Sequence, residues 1–310
     1  MNLKTAQAAI LLTLMLASTA AHASPQVVAS IKPLHSLVSG VMSGVAAPRL
    51  LIRGHASPHN YSLRPSDASA LQEATVVFWV GVELEPFLEK PLQSLARQAK
   101  LVALSETKGL HWLKTREDFV WGDHAHEEHE AHAEHGTPHR DPHLWLDPRN
   151  AAVLVAAITK TLQTVDPDHA ATYQKNGLAL QKRLASLDAQ LRENLTPVSS
   201  KPYLVFHDAY QYFEKRYGLR PLGVVMVHSD RPPGVKWLQS LRRQLQDTNA
   251  RCVFTEPQFP PKLLEAVTRG LEVKQGELDP VGAELTPGPD LYFTLLNNLG
   301  ASLRTCLLFK

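Results

Sequence analysis

Between residues 167 and 195, Tyr173, Leu180, Leu184, Leu187, Leu191 and Leu195 recur at spacings dominated by three and four. That period puts them on one face and predicts a single helix of about 43 Å, ended by Pro197. On either side of it the chain alternates short β-rich runs with helical stretches, four strands before and four after. Strands separated by helical crossovers build parallel, doubly wound sheets. The fold class expected is therefore α/β, with two lobes, each a four-stranded parallel sheet flanked by helices, joined by one long linking helix. Two such lobes on a rigid strut enclose a cleft, which is the layout of a binding protein.

The strands expected in the first half cover 27–31, 50–53, 75–80 and 101–104, with helices over 33–42, 66–73 and 84–98. Asp147-Pro148 then reads as an N-cap followed by proline at the first helical position, opening a helix to about residue 165. Asp166-Pro167 repeats that start signal. In the second half the expected strands are 203–206, 223–227, 252–255 and 272–278, with helices over 209–217, 235–247, 261–269 and 290–307. The chain thus divides into an N-terminal lobe over 24–165, a linking helix over 166–198 and a C-terminal lobe over 199–310.

At the start, Lys4 and an apolar run over 8–20 lead into Ala21-His22-Ala23, a small-x-small cleavage pattern. This is the layout of a secretory signal peptide over 1–23, and the run is too short to span a membrane. No cysteine follows the run, which excludes a lipid anchor at that site. Cleavage near Ala23 would leave 287 of the 310 residues as an exported, periplasmic chain, expected to be a monomer. The net charge is only +2 and no basic stripe with interleaved aromatics occurs, so nucleic acid is not an expected partner. Cys252 and Cys306 are the only cysteines, and an even count in an exported protein reads as a disulfide. Closing that loop is worth about 4 kcal/mol on the chain-entropy estimate. Two cysteines are too few for a cysteine-based zinc site.

Histidine is the unusual component. The chain holds 15, and seven fall between Asp123 and His143 in the stretch DHAHEEHEAHAEHGTPHRDPH. Imidazole is the commonest side-chain ligand for zinc-type metals, and folding does not require such density. In open parallel sheets, however, ligands bind beyond the carboxyl ends of strands. His59 follows the second expected strand, His143 lies in the connection after the fourth, His207 follows the fifth, and Asp279 follows the eighth. Three imidazoles and a carboxylate or water make a tetrahedral set that suits Zn²⁺, whereas manganese would use more oxygen. Singly, each of these residues also reads as a cap or surface group. His55, four residues before His59, is a further auxiliary ligand candidate, while His35 and His228 read as core or surface histidines.

The pieces SPHNYSLRPSD (57–67), DPHLWLDP (141–148), FHDAYQYF (206–213), CVFTEPQF (252–259) and GELDPVG (276–282) resemble, in order, the motifs of zinc-specific substrate-binding proteins of bacterial ABC importers. Together they span nearly the whole mature chain. The resemblance implies two four-stranded lobes with the metal between them, ligand histidines at His59, His143 and His207, and the family's C-terminal disulfide at Cys252 and Cys306. Manganese-binding relatives tend to carry a carboxylate where His207 stands. The fourth position varies in the family among the aspartate matching Asp279, a nearby glutamate and water. Pro58 here removes an acidic ligand immediately before His59. The expected partners are the zinc ion, a membrane ABC permease and, as a further candidate, a periplasmic zinc-delivery protein.

Within the run, His124, His126, His129, His132, His135 and His139 are accompanied by five acidic residues between Asp123 and Glu134 and by no lysine or arginine before Arg140. Such a stretch over 123–139 reads as a solvated insertion with weak, exchangeable metal binding added. One rival is a secreted zinc hydrolase, which needs an open metal position and a general base. No HExxH or HxxEH is present, and Glu256, the candidate base, also reads as a residue supporting the ligands or the lobes. Uptake of another divalent metal such as manganese is a second rival. A third is a metal-responsive adhesin or storage protein, which would lean on the loop and have little use for a cleft.

Overall fold

The computed structural model describes residues 24–116, 140–226, 234–248, 250–259 and 262–309. The expected leader over 1–23, the six loop histidines from His124 to His139, and His228 lie outside the described residues. No helix among the described residues is long and apolar enough to cross a membrane.

The first lobe is a four-stranded parallel sheet of β1 (Val27–Ala29), β2 (Arg49–Leu50), β3 (Val76–Trp79) and β4 (Lys100–Ala103), in the order β2-β1-β3-β4. The period-two alternation of strands sorts the apolar residues of its two central strands onto opposite faces. Val27, Ala29, Val76 and Phe78 pack toward α1 (Lys32–Val41), while Val28 and Val77 face α2 (Pro65–Glu73) and α3 (Glu89–Leu95). Helices on both faces explain why the central strands read as continuous apolar runs. The expected helix over 84–98 is shorter than its sequence suggests. Leu84 and Glu85 donate their N–H groups back to the Gly81 carbonyl in a turn, and Pro86 opens a single 3₁₀ turn before α3 begins.

After α4 (Pro148–Val165), whose N-cap Asp147 accepts the Arg149 N–H at 2.9 Å, a 3₁₀ turn leads into the linking helix α5 (Ala170–Leu195). Its 26 residues correspond to about 39 Å. The expected apolar face is buried along its whole length from Tyr173 to Leu195. A Cβ on Gly40 of α1 would come within 2.7 Å of Leu180, so glycine sets the approach of that helix to α5.

The second lobe repeats the plan with β5 (Pro202–Val205), β6 (Arg220–Val224), β7 (Cys252–Thr255) and β8 (Lys274–Glu277), ordered β6-β5-β7-β8 and all parallel. Around it lie α6 (Gln211–Tyr217), α7 (Val235–Asp247), α8 (Lys262–Thr268) and α9 (Leu291–Leu307). Strand β6 starts three residues earlier than its apolar run suggests. It is an edge strand, where the missing N–H of Pro221 is tolerated, and its register against β5 shifts at Tyr203/Leu204. Cys252 at the start of β7 is bridged to Cys306 of α9 with Cα atoms 5.9 Å apart, which fastens the last helix to the sheet. One continuous core runs through β1, α1, α4, α5, β5 and α9. The linking helix is therefore a shared wall of both lobes.

Glu85 is fully buried beyond the end of β3, with Oε2 accepting the Val80 N–H at 2.7 Å. Burial pushes its carboxyl up to about 7, partly offset by the hydrogen bonds it accepts from the Val80 and Gly81 N–H groups. The folded value is raised above the unfolded one. Its contribution to stability is thus present below pH 4.5 and is lost as pH rises toward 7. Glu85→Gln keeps an acceptor for Val80 and carries no charge. It should exceed the parent protein in stability by about 2 kcal/mol at pH 8, with the gap closing below about pH 5, as read by urea unfolding at both values.

Candidate metal centre

Both sheets have their order reversal between the two central strands, β1/β3 and β5/β7, and the loops beyond these carboxyl ends face one another. This is where open α/β sheets place their ligands. His207 leaves the end of β5 and Glu256 leaves the end of neighbouring β7. Their side chains meet there, with His207 Nδ1 and Glu256 Oε1 2.6 Å apart. An ionised carboxylate only accepts, so Nδ1 carries the proton and the Nε2 lone pair turns away from it. His207 Nε2 is fully buried and has no hydrogen-bond partner among the described residues.

From the other lobe comes His143, on the connection between β4 and α4. Asp141, two residues earlier, accepts both the His143 backbone N–H at 3.0 Å and its Nδ1–H at 2.9 Å. Each of these two histidines is thus oriented by a buried carboxylate, the arrangement that fixes tautomer and ring direction in metal-ligating histidines. His59 sits on the loop after β2, with its backbone N–H donating to Ser57 Oγ at 3.3 Å.

The three imidazoles converge. One ring nitrogen from each of His59, His143 and His207 lies within 4.8 Å of the others, and their ring centroids are 5.3, 5.5 and 6.0 Å apart. The Nε2 atoms of His59 and His143 are separated by 3.3 Å. Two nitrogens bound to one tetrahedral zinc at about 2.0–2.1 Å stand roughly 3.3–3.4 Å apart, so this pair is already at ligand spacing. The cavity they line with Trp145, Phe259 and Val281 measures only about 10 Å³. That is room for about one water-sized occupant.

The electrostatics divide the three rings. Burial holds His59 and His143 well below the usual histidine value, reinforced by their histidine neighbours, so both are neutral and ready to ligate. Burial also opposes the charged form of His207, but the carboxylates of Glu256, Asp208 and Asp141 outweigh it and raise its value. Asp141 is pushed up to about 7 by burial, against the opposing effects of the His143 N–H and Arg116.

His59, His143 and His207 are thus brought together as the strand-end reading expects. Asp279 is not among the converging ligand atoms. Its carboxylate accepts the backbone N–H groups of Val281, Gly282 and Ala283 and the side-chain amide of Gln258. Four donors occupy the oxygens that would otherwise be free for a metal. The loop it tightens is gripped from the other lobe by Lys32, whose Nζ donates to the carbonyls of Gly282, Ala283 and Leu285. His55 pairs with Glu284 on the exposed rim, away from the cluster. His35 is a core residue, its Nε2 donating to the Pro48 carbonyl at 3.0 Å. Glu256 is buried against His207, in the supporting role weighed for it against that of a base. Asp141 was legible only through its Asp-x-His spacing, and Gln258 and Lys32 carry no sequence signal of a place at the cleft.

Two parallel-sheet lobes sharing a helical wall, with imidazoles from both converging on an atom-sized cavity, define a metal-binding protein of the two-lobed solute-binding class. Residues 27–306 match the zinc-uptake complex component A periplasmic family, and the chain belongs to that family. It is 46% identical to a high-affinity zinc uptake system protein of Brucella abortus strain 2308, covering 91% of each chain. A protein of the same description from Yersinia pestis is 37% identical over 97% of each chain. Among solved structures, a crystal structure described as ZnuA superposes with a TM-score of 0.78 at 24% identity, covering 92% of this chain and 99% of that one. A manganese-complexed binding protein, FpvC of Pseudomonas aeruginosa, reaches 0.76 at 22% identity over 91% of this chain and 98% of its own. The fold is therefore common to binders of different metals, and the ligand set has to make the distinction.

Proposed function

We propose that this protein captures Zn²⁺ in the inter-lobe cleft through His59, His143 and His207 and presents it to a membrane ABC permease. The observation that carries the reading is the convergence of three imidazoles, that of His143 buried and those of His59 and His207 half-buried, two of them already at tetrahedral ligand spacing. An all-nitrogen protein set favours zinc over manganese, which takes oxygen-rich sites. Glu256 is held through Oε1 by His207 Nδ1, which makes it a support of a ligand ring and weighs against the hydrolase alternative. Residues 1–23 act on this reading as an export signal cleaved near Ala23. The histidines over 123–139 serve as a low-affinity antechamber, open to a delivery protein, and the loaded form acts as a monomer. The test is competition with a chromophoric chelator on protein lacking 123–139. One tight zinc per chain is expected, and its absence would sink the cleft assignment.

Ligation requires unprotonated nitrogen, and the two groups holding releasable protons near neutrality are His207 and Asp141. His59 and His143, held well below 6.5, hold none there. Zinc affinity should accordingly fall about tenfold or more per pH unit below pH 7, with one to two protons released per ion by about pH 6. Calorimetry in buffers of different ionisation enthalpy reads that number directly. Release of three or more protons at pH 6 would mean that the neutral state assigned to His59 and His143 is wrong.

A further inference from the structure

Gln258 lines the same small cavity as the three imidazoles, and nothing in the capture mechanism has used it. It lies two residues beyond Glu256 on the loop leaving β7, and its amide is fixed from behind by Asp279, with Nε2 3.0 Å from Oδ1. The two ends of a glutamine amide differ only in their hydrogen-bonding role, so their assignment follows from the partners. Asp279 already accepts three backbone N–H groups as a carboxylate, so the amide must face it with its NH₂. Asp279 does not line the histidine cavity, and Oε1 is therefore the end turned away from it. That oxygen is fully buried and has no donor among the described residues.

His207 Nε2, on the wall of the same cavity, is likewise buried without a partner. A buried polar atom left without a partner is unfavourable by about 1–3 kcal/mol, so His207 Nε2, Gln258 Oε1 and Glu256 Oε2 on one cavity of this size indicate an occupant that engages them. A metal ion takes the nitrogen lone pair but cannot donate a hydrogen bond to an amide carbonyl. A water on that metal can. Asp279 is engaged by its turn and residue 58 is proline, while Glu256 holds His207 through Oε1 and leaves Oε2 as a second buried acceptor on the same wall.

We propose that Gln258 is a specificity-determining residue of the metal site, with Oε1 accepting the hydrogen bond of a water in the fourth zinc position and Asp279 orienting the amide. This rests on the zinc-cleft reading above. A neutral amide makes the site complete with a neutral oxygen, so the fourth position stays exchangeable while its geometry is held. Asp279 then contributes through the amide it orients, which accounts for its place behind the cavity wall.

The experiment compares the parent protein with Q258L and Q258M, two substitutions of similar size without an acceptor, and with Q244L. Gln244 also has a buried, unpartnered Oε1, but on α7 and away from the cleft. Zinc affinity is measured by chelator competition and coordination by the visible spectrum of the Co²⁺-loaded protein. Q258L and Q258M should each bind zinc about 10- to 100-fold more weakly and change the position or intensity of the Co²⁺ bands, while Q244L leaves both unaltered. Thermal melting of the metal-free proteins identifies any variant that fails to fold, and the other Gln258 variant then decides. Parent-like affinity with an unchanged cobalt spectrum in a folded Gln258 variant would overturn the proposal and leave the cleft intact. A cobalt spectrum of the parent protein that is insensitive to His143→Ala would instead overturn the cleft reading itself.

Discussion

Replacing His143 and His207 together by alanine should weaken zinc binding by roughly four to six orders of magnitude. Four-ligand zinc sites are worth about 10–16 kcal/mol, so each ligand carries roughly 3–4 kcal/mol, and two correspond to about 6–8 kcal/mol. The loss should be this large because no further imidazole among the described residues lines the cavity to replace them. The cavity holds about one atom, and both carboxylates beside the histidines are turned toward Nδ1 positions. The substitutions are best made in protein lacking 123–139, where the run that could trap zinc weakly is gone. Deleting that run alone should leave the tight site untouched. Tight binding that survived both alanines would place the metal elsewhere.

How much of this was legible in the sequence follows from the range over which each signal acts. The lobes and α5 could be read because periodicity is local, with seven buried residues from Tyr173 to Leu195 on one face of the helix. His59, His143 and His207 could be read because strand ends are local features and the carboxyl-end rule is general. The supporting contacts were legible in proportion to their sequence separation. Asp141 is two residues from His143 and announces itself in DPH, and Glu256 lies 49 residues from His207 yet stands at an adjacent strand end. The grip of Lys32 on Gly282 spans 250 residues and depends on two loops meeting across the cleft, a register no local pattern encodes. Asp279 illustrates the same limit. Its position after β8 suits a ligand, but four N–H donors that only the folded loop supplies engage its oxygens. The edge strand β6 was displaced because Pro221 hides a strand start that edge position permits.

Arg116→Ala should destabilise the metal-free protein by about 3–5 kcal/mol at pH 8, because it strands the buried Glu214 and the half-buried Asp208 across the lobe boundary. Arg116 stands on the connection leaving the first lobe, beside the Lys114–Arg140 bridge, and donates to Asp208 at 2.9 Å and Glu214 at 2.6 Å in the second lobe. Glu214 is almost wholly buried and also accepts the Tyr203 hydroxyl, so water cannot replace the guanidinium there. Burial already lifts Asp208 to about 6 and Glu214 to about 7, with Arg116 holding both lower than burial alone would. Removing it raises both values further. Groups whose folded values are raised bind more protons in the folded state, so their contribution to stability falls as pH rises from about 4 toward 7. The deficit of Arg116→Ala should therefore be largest at pH 8 and shrink to about 1–2 kcal/mol near pH 5, where both carboxyls are neutral and only the lost packing and hydrogen bonds remain. Arg116→Lys keeps the charge but not the two-pronged geometry, and should fall between the two. Urea unfolding of all three proteins at pH 8 and pH 5 measures this. An equal deficit at both values would show that packing, and not the burial of unpaired carboxylates, is what Arg116 contributes.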